Sequence, residues 1–128
     1  MKITKFEDII VWKEARILIN VIYDLTSNFP FKSDFGLKEQ IQKAAVSCMS
    51  NVAEGFDCDS NTQFIQYLVY ARRSSSEVQS ELYVALDRNY ITQKEFNKAF
   101  EQAKRVGQLT NGFIRYLKTN KQANRRTG

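Results

Sequence analysis

The sequence of 128 residues predicts an all-α fold, an antiparallel four-helix bundle with up-down-up-down topology. One proline and five glycines provide few of the turns that an all-β chain of this length needs. Long stretches rich in Ala, Leu, Lys, Gln and Glu favour helix. In four of these stretches apolar residues recur three and four positions apart, which is the spacing of a bundle seam. We expect one domain over residues 1–119 and a disordered basic tail over residues 120–128.

The first helix is predicted over residues 8–27. Its seam consists of Val11, Ala15, Leu18, Ile22 and Leu25. Ile10, Ile17 and Val21 lie away from this seam, which is unusual for a surface helix of a monomer. Either the helix is broadly buried or this flank is a subunit interface. Pro30 lies in the break that follows.

The second helix is predicted between Gly36 and Gly55, with Gly55 ending it. Its apolar stripe consists of Leu37, Ile41, Ala44, Cys48 and Val52. An adjacent stripe of polar residues consists of Gln40, Ser47, Asn51 and Glu54. The helix macrodipole disfavours a carboxylate in the last turn. We therefore expect Glu54 to be at least half buried and to accept hydrogen bonds from Ser74, an arginine of the third helix or a neighbouring subunit.

A capping box of Ser60 and Gln63 predicts the start of the third helix, which should reach nearly to Asn89. Its seam consists of Phe64, Leu68, Ala71, Ser75, Val78, Leu82 and Ala85. A neighbouring mixed seam consists of Tyr67, Ser74, Glu77 and Glu81. We predict a polar network that fixes the register of the second and third helices, formed by Ser47, Asn51, Glu54, Ser74 and Glu77. The alternative is a solvated polar face.

A second capping box, Thr92 with Glu95, predicts the start of the fourth helix, which should end near Thr119. Its seam consists of Phe96, Ala99, Ala103, Val106, Thr110, Phe113 and Leu117. Gly107 and Gly112 lower the helix propensity of this segment. Both are expected to mark close contacts between helices.

The sequence also resembles a known family around the second helix. The resemblance rests on Phe35, Gly36, Leu37, Gln40, Ile41, Ala44, Ala45, Val46 and Ser47, followed by Asn51, Val52, Ala53, Glu54 and Gly55. This run is similar to the signature of four-helix-bundle proteins encoded in intervening sequences of bacterial large-subunit ribosomal RNA genes. Further similar positions extend over about residues 5–118. The chain departs from the family pattern at Met49, Cys58, Arg73 and Asn89, the last two of which replace glycines.

The net charge of +5 and the isoelectric point near 9.3 invite a nucleic-acid hypothesis. Four basic residues without an acid lie in residues 118–128, so the other 117 residues carry a net charge of only +1. A basic tail of this kind either keeps the protein soluble or contributes to binding. The candidate nucleic-acid-binding residues are Lys43, Arg72, Arg73, Lys118, Lys121, Arg125 and Arg126.

The residue types exclude most enzyme classes. Without histidine the chain cannot build the Glu-x-x-His motif of di-iron bundles or a Ser-His-Asp triad. No glycine-rich phosphate loop is present, and neither Cys48 nor Cys58 lies in a setting that favours a thiolate. An acid-base pair among Glu54, Glu77 and Glu81 is less plausible than a structural role. We expect no catalytic residues, no metal and no cofactor.

Two hypotheses about function remain. The family resemblance implies a homopentamer and a link to retroelement accessory proteins that bind RNA and a reverse transcriptase through a basic surface. The first hypothesis is therefore a non-enzymatic, ring-shaped module that associates with RNA or a nucleic-acid-processing protein. The alternative is a protein-binding or scaffolding bundle. Two cysteines, no secretory signal and no apolar run as long as a membrane span predict a cytoplasmic protein with no membrane or small-molecule partner.

Overall fold

A computed structural model describes residues 3–119, and within that range it contains helices and no strand. The four long helices are α1 (Ile10–Thr26), α2 (Phe35–Phe56), α3 (Asn61–Asp87) and α4 (Gln93–Thr119). Short 3-10 helices at Phe6–Asp8 and Phe31–Ser33 precede α1 and α2. The predicted all-α four-helix bundle is confirmed.

Contacts between the helices define the arrangement. α1 and α3 each pack against α2 and α4. Ser74 bonds to Ser47, and Tyr67 approaches Gly55, so α2 and α3 run antiparallel. Arg72 bonds to Asn111, and Ser75 approaches Gly107, so α3 and α4 also run antiparallel. The bundle therefore has four surface grooves, one along each pair of neighbouring helices.

The buried core follows the predicted seams with two shifts. Phe113 was predicted in the α4 seam, but Ile114 is buried there while Phe113 is half-buried. Thr26 is similarly buried in place of Leu25. In both helices the seam takes a step of four where a step of three was expected, because 3.6 residues per turn does not follow a strict heptad.

Of the two predicted capping boxes, the one at Thr92 and Glu95 is complete, and the one at Ser60 and Gln63 is formed on one side only. The Thr92 hydroxyl accepts a hydrogen bond from the Glu95 amide at 3.1 Å, and the Glu95 carboxylate accepts one from the Thr92 amide at 2.8 Å. At α3 the Ser60 hydroxyl accepts from the Gln63 amide at 3.2 Å. These side chains satisfy amide groups that have no partner within the helix.

Gly55 does not end α2 as predicted. It lies inside the helix, which ends one residue later at Phe56, and no glycine of the described range has a positive φ. A Cβ at Gly55 would lie 2.7 Å from Phe64 Cδ1 and 2.9 Å from Tyr67 Cβ. The glycine is therefore required because α3 approaches closely. The left-handed residue is Asn89 after α3, with φ of 60°, a conformation that asparagine tolerates better than most residues.

The two glycines of α4 differ. A Cβ at Gly107 would lie 3.0 Å from the Ser75 hydroxyl, so the predicted close contact is present there. At Gly112 the nearest atom would be Arg115 Nη2 at 3.8 Å, so the prediction of a close contact at Gly112 is wrong. Among residues 3–119, no helix combines the length and the apolar character needed to cross a membrane.

Candidate nucleic-acid interface

The positive charge of the chain is concentrated at its C-terminal end. Residues 93–128 carry nine basic and two acidic side chains, whereas residues 1–92 carry ten basic and twelve acidic ones. Six of the nine basic residues lie in α4. This concentration of positive charge favours anion binding at the surface beside α4.

The groove between α3 and α4 has a volume of about 420 Å³. It is lined by Arg72, Ser75, Ser76, Gln79, Phe100, Lys104, Gly107, Gln108 and Asn111. This set contains two cations, several neutral hydrogen-bonding side chains and no carboxylate. We call it the α3/α4 groove.

Arg72 is half-buried in this groove and held in place. Its Nη1 donates a hydrogen bond to Asn111 Oδ1 at 3.0 Å. Because the acceptor is a neutral amide, the hydrogen bond orients the guanidinium group without cancelling its charge. An oriented and uncancelled cation is well suited to contact a phosphate.

Arg105 shows the opposite arrangement on the α1 side of α4. Its Nε donates to Glu14 Oε1 at 2.8 Å. A hydrogen bond from Gln102 and the guanidinium of Arg105 lower the pKa of Glu14. Arg105 therefore forms a structural ion pair between α1 and α4.

The other predicted basic residues do not join Arg72. Lys43 lines the groove between α1 and α2 on the other side of the bundle, and its ammonium lies 3.9 Å from the Glu39 carboxylate. Arg73 is exposed and points away from the α3/α4 groove, because adjacent residues of a helix are about 100° apart. Lys118 is exposed near the end of α4. Lys121, Arg125 and Arg126 lie outside the described residues.

Sequence reasoning missed Lys104. This lysine lies one helical turn before Gln108 and two turns before Asn111, and this spacing would have placed it on the same side of α4.

Three of the five residues of the predicted polar network are joined. Asn51 Nδ2 donates to Ser47 Oγ at 2.8 Å, and Ser74 Oγ donates to the same oxygen at 2.9 Å. Glu77 is exposed and lies outside this cluster. The cluster links α2 to α3 at one level of the bundle.

Glu54 is exposed, so the expected half burial does not occur within the single chain. The register fixed by Ser47 and Ser74 places Glu54 level with Tyr67. The rings of Tyr67 and Tyr70 are in contact there, 5.9 Å apart between centroids. At that level α3 presents aromatic rings, so no serine or arginine is available to hold the carboxylate.

The buried carboxylate of this seam is instead Glu81, which is 7% exposed. Within residues 3–119 neither of its oxygens has a donor in hydrogen-bonding geometry. Burial, and to a smaller extent the neighbouring Glu77 carboxylate, raises the pKa of Glu81 to about 8 against a smaller opposite effect of Gln40. The signal in the sequence was its position seven residues after Ser74, on the side of α3 that faces α2.

The described residues offer little reactive chemistry. Burial raises the pKa of the Cys48 thiol to about 12, which disfavours the reactive thiolate. Residues 3–119 contain no group of three or more His, Cys, Asp or Glu side chains that could hold a metal ion.

These features define a class of protein, a four-helix bundle that presents a cationic groove on its surface. The chain belongs to the 23S rRNA-intervening sequence protein family, whose model matches residues 7–112. This confirms the resemblance seen in the second helix and its surroundings.

A similar fold is known from a crystal structure of a protein of unknown function of the S23 ribosomal protein family from Bacteroides thetaiotaomicron. The two chains superpose with a TM-score of 0.75 at 20% identity, over 82% of this chain and 98% of that one. At this identity the likeness concerns the fold alone. No curated protein matches the chain significantly.

Proposed function

We propose that this protein is a non-enzymatic, cytoplasmic, self-associating module that binds RNA through phosphate contacts in the α3/α4 groove. The observation that carries the proposal is the combination of Arg72 and Lys104 in a groove without a carboxylate. Gln79, Gln108 and Asn111 supply further polar groups along the same groove. Such a surface attracts a polyanion.

The chemistry of the groove predicts the kind of recognition. Cations that contact phosphates release counterions, so affinity falls steeply as salt rises. Phosphate contacts carry no information about base identity. We therefore expect binding that depends on salt and little on sequence, with the basic residues after α4 adding to it.

Self-association is supported by apolar surface beside α1 and α4. Ile10 and Ile17 are 49% and 48% exposed. An open groove of about 500 Å³ adjoins Ile10, and its apolar lining consists of Ile3, Ile9, Leu109, Phe113 and Tyr116. Exposed apolar surface of this kind marks interaction sites. The number of five subunits comes from the family resemblance, and a closed ring would repeat the α3/α4 groove five times.

The second candidate function is a protein-binding scaffold, which the same apolar groove favours. The two hypotheses differ in what they expect of RNA. A scaffold retains its assembly and shows no RNA binding at low salt. A light-scattering mass equal to the 14.9 kDa of one chain at micromolar concentration would contradict a closed ring of subunits in both hypotheses.

The direct test is fluorescence anisotropy with structured RNA at about 50 and about 200 mM salt. The double variant Arg72→Gln with Lys104→Gln should bind more weakly, and its slope of log affinity against log salt should decrease by about two. Lys43→Gln is the matched control, because it removes one positive charge on the other side of the bundle. The two groove substitutions are also made singly. If Lys43→Gln weakened RNA binding as much as either single groove substitution, the assignment to the α3/α4 groove would be wrong.

A further inference from the structure

Two phenylalanine side chains at one end of the bundle are largely exposed to solvent. Phe29 is 72% exposed and Phe35 is 73% exposed, more than any other large hydrophobic side chain of residues 3–119. They flank the short 3-10 helix Phe31–Ser33, with Phe29 in the connection between α1 and α2 and Phe35 at the first position of α2. Neither ring contributes to the core.

The connection between these rings is fixed in place. Phe31, between them, is fully buried and lies 5.3 Å from the Tyr90 ring. The Tyr90 hydroxyl donates to Asp34 Oδ2 at 2.9 Å, while Asp34 Oδ1 accepts from the Leu37 amide and caps α2. The exposed rings are therefore presented by an anchored segment.

A lysine ammonium group lies over each exposed ring. Lys32 Nζ lies 5.3 Å from the centroid of the Phe29 ring, and Lys38 Nζ lies 5.6 Å from that of Phe35. Both distances are within the range of a cation–π contact. The end of the bundle thus presents two units, each made of an open aromatic face and an ammonium group. We call these four residues the aromatic edge.

We propose that the aromatic edge is a binding site for unpaired nucleotides, in which each ring stacks on a base and its lysine contacts a neighbouring phosphate. Every base has a π face, so aromatic side chains beside cations suit single-stranded nucleic acid of any sequence. This inference rests on the proposed association with RNA but uses another surface. The α3/α4 groove would contact the backbone of any RNA, whereas the aromatic edge selects unpaired segments.

An anionic membrane is the other partner that exposed phenylalanine and lysine side chains could meet. Insertion of the rings into a bilayer requires the charged groups to remain at the surface. Here each ammonium lies over its own ring, so inserting the ring would carry the charge with it or break the contact. A nucleotide satisfies both parts together, because its base and phosphate are adjacent.

The test compares a labelled oligouridine, which is unpaired, with a labelled RNA duplex by anisotropy at low salt. The double variant Phe29→Leu with Phe35→Leu keeps apolar side chains but removes the rings. It should weaken oligouridine binding about tenfold or more and leave duplex binding nearly unchanged. Phe35→Tyr, which keeps a ring, should retain most of the affinity.

Further arms separate this inference from the proposed function. One outcome is that the Arg72 and Lys104 variant loses affinity for both RNAs while the leucine variant has no effect. This result would contradict binding at the aromatic edge and support binding in the α3/α4 groove. The reverse pattern would support the edge and overturn the groove. A leucine variant whose light-scattering mass differs from wild type would show a subunit contact instead. Ring-dependent sedimentation with phosphatidylserine vesicles, without ring-dependent oligouridine binding, would also overturn the proposal.

Discussion

The two flanks of α3 use polar residues in opposite ways. Toward α4, the α3/α4 groove holds Arg72 in an open position, where a neutral amide orients it. Toward α2, Glu81 is buried and lacks a hydrogen-bond donor within the described range. One helix therefore keeps a cation accessible on one side and encloses a carboxylate on the other.

Helical spacing therefore assigns a polar residue to one side of a helix but does not decide its role. A solvent-accessible cation without a nearby acid adds to the electrostatic field outside the protein. A buried carboxylate is costly in its charged form and responds by taking up a proton. The first is suited to binding and the second makes stability depend on pH.

The largest effect on stability is expected where α3 packs most closely against α2. Gly55→Ala places a methyl group under 3 Å from Phe64 and Tyr67, so it should lower the free energy of unfolding by about 1–3 kcal/mol. Gly112→Ala, which meets nothing closer than 3.8 Å, should be neutral or stabilising by up to about 1 kcal/mol. Chemical denaturation measures both. Equal destabilisation by the two substitutions would contradict the close approach of α2 and α3.

Glu81→Gln tests the buried carboxylate on the same flank. The folded-state pKa is raised to about 8 from an ordinary value of 4.5, so the stability that Glu81 contributes is full below pH 4.5 and is lost as pH rises through 8. The neutral variant lacks this loss. It should therefore be more stable than wild type above pH 8, by about 1–3 kcal/mol, and differ least below pH 4.5.

Thermal melts of both proteins from pH 4 to 9 follow this difference. Glu54→Gln is the control, because it makes the same substitution at an exposed carboxylate. A Glu81→Gln variant whose melting temperature tracks wild type at every pH would mean that Glu81 is solvated.

Ser74→Ala tests the hydrogen bond between α3 and α2. The substitution removes the link to Ser47 between α2 and α3 and should cost about 0.5–1.5 kcal/mol of stability. Ser76→Ala is the matched control, since that serine is exposed on the side facing α4. Urea denaturation at neutral pH checks the pair. A control that costs as much as Ser74→Ala would show that the link contributes nothing.

The smallest effect is expected from Asn111→Ala, which keeps every charge of the α3/α4 groove and removes only the acceptor that orients Arg72. RNA affinity should fall a few-fold, while the salt dependence stays as in wild type because the number of cations is unchanged. Anisotropy over a salt series measures both quantities. An altered salt slope with unchanged affinity at low salt would argue against the orienting role.

The fold and most of the core follow from the sequence because seam spacing and capping boxes act locally. Thr92 with Glu95 could be read from four consecutive residues, and the structure reproduces both bonds. Gly55 could not be read in this way. The same residue suits a helix end and a close contact, and only the position of α3 decides between them.

The proposed binding surface was predictable in part. Arg72 was named from its charge, but its amide partner lies 39 residues away in α4. Lys43 was grouped with it although it faces another groove, since sequence does not show which helices become neighbours. The burial of Glu81 and the exposure of Glu54 likewise depend on what the facing helix presents at each level.

RNA bound as proposed covers the α3/α4 groove, and acetylation footprinting of lysines measures this coverage. Lys104 and Lys43 are both exposed, so both should react with an acetylating reagent in the free protein. When saturating duplex RNA is bound, Lys104 should be protected and Lys43 should stay reactive. Protection of Lys43 with full reactivity of Lys104 would show that RNA does not bind in the α3/α4 groove.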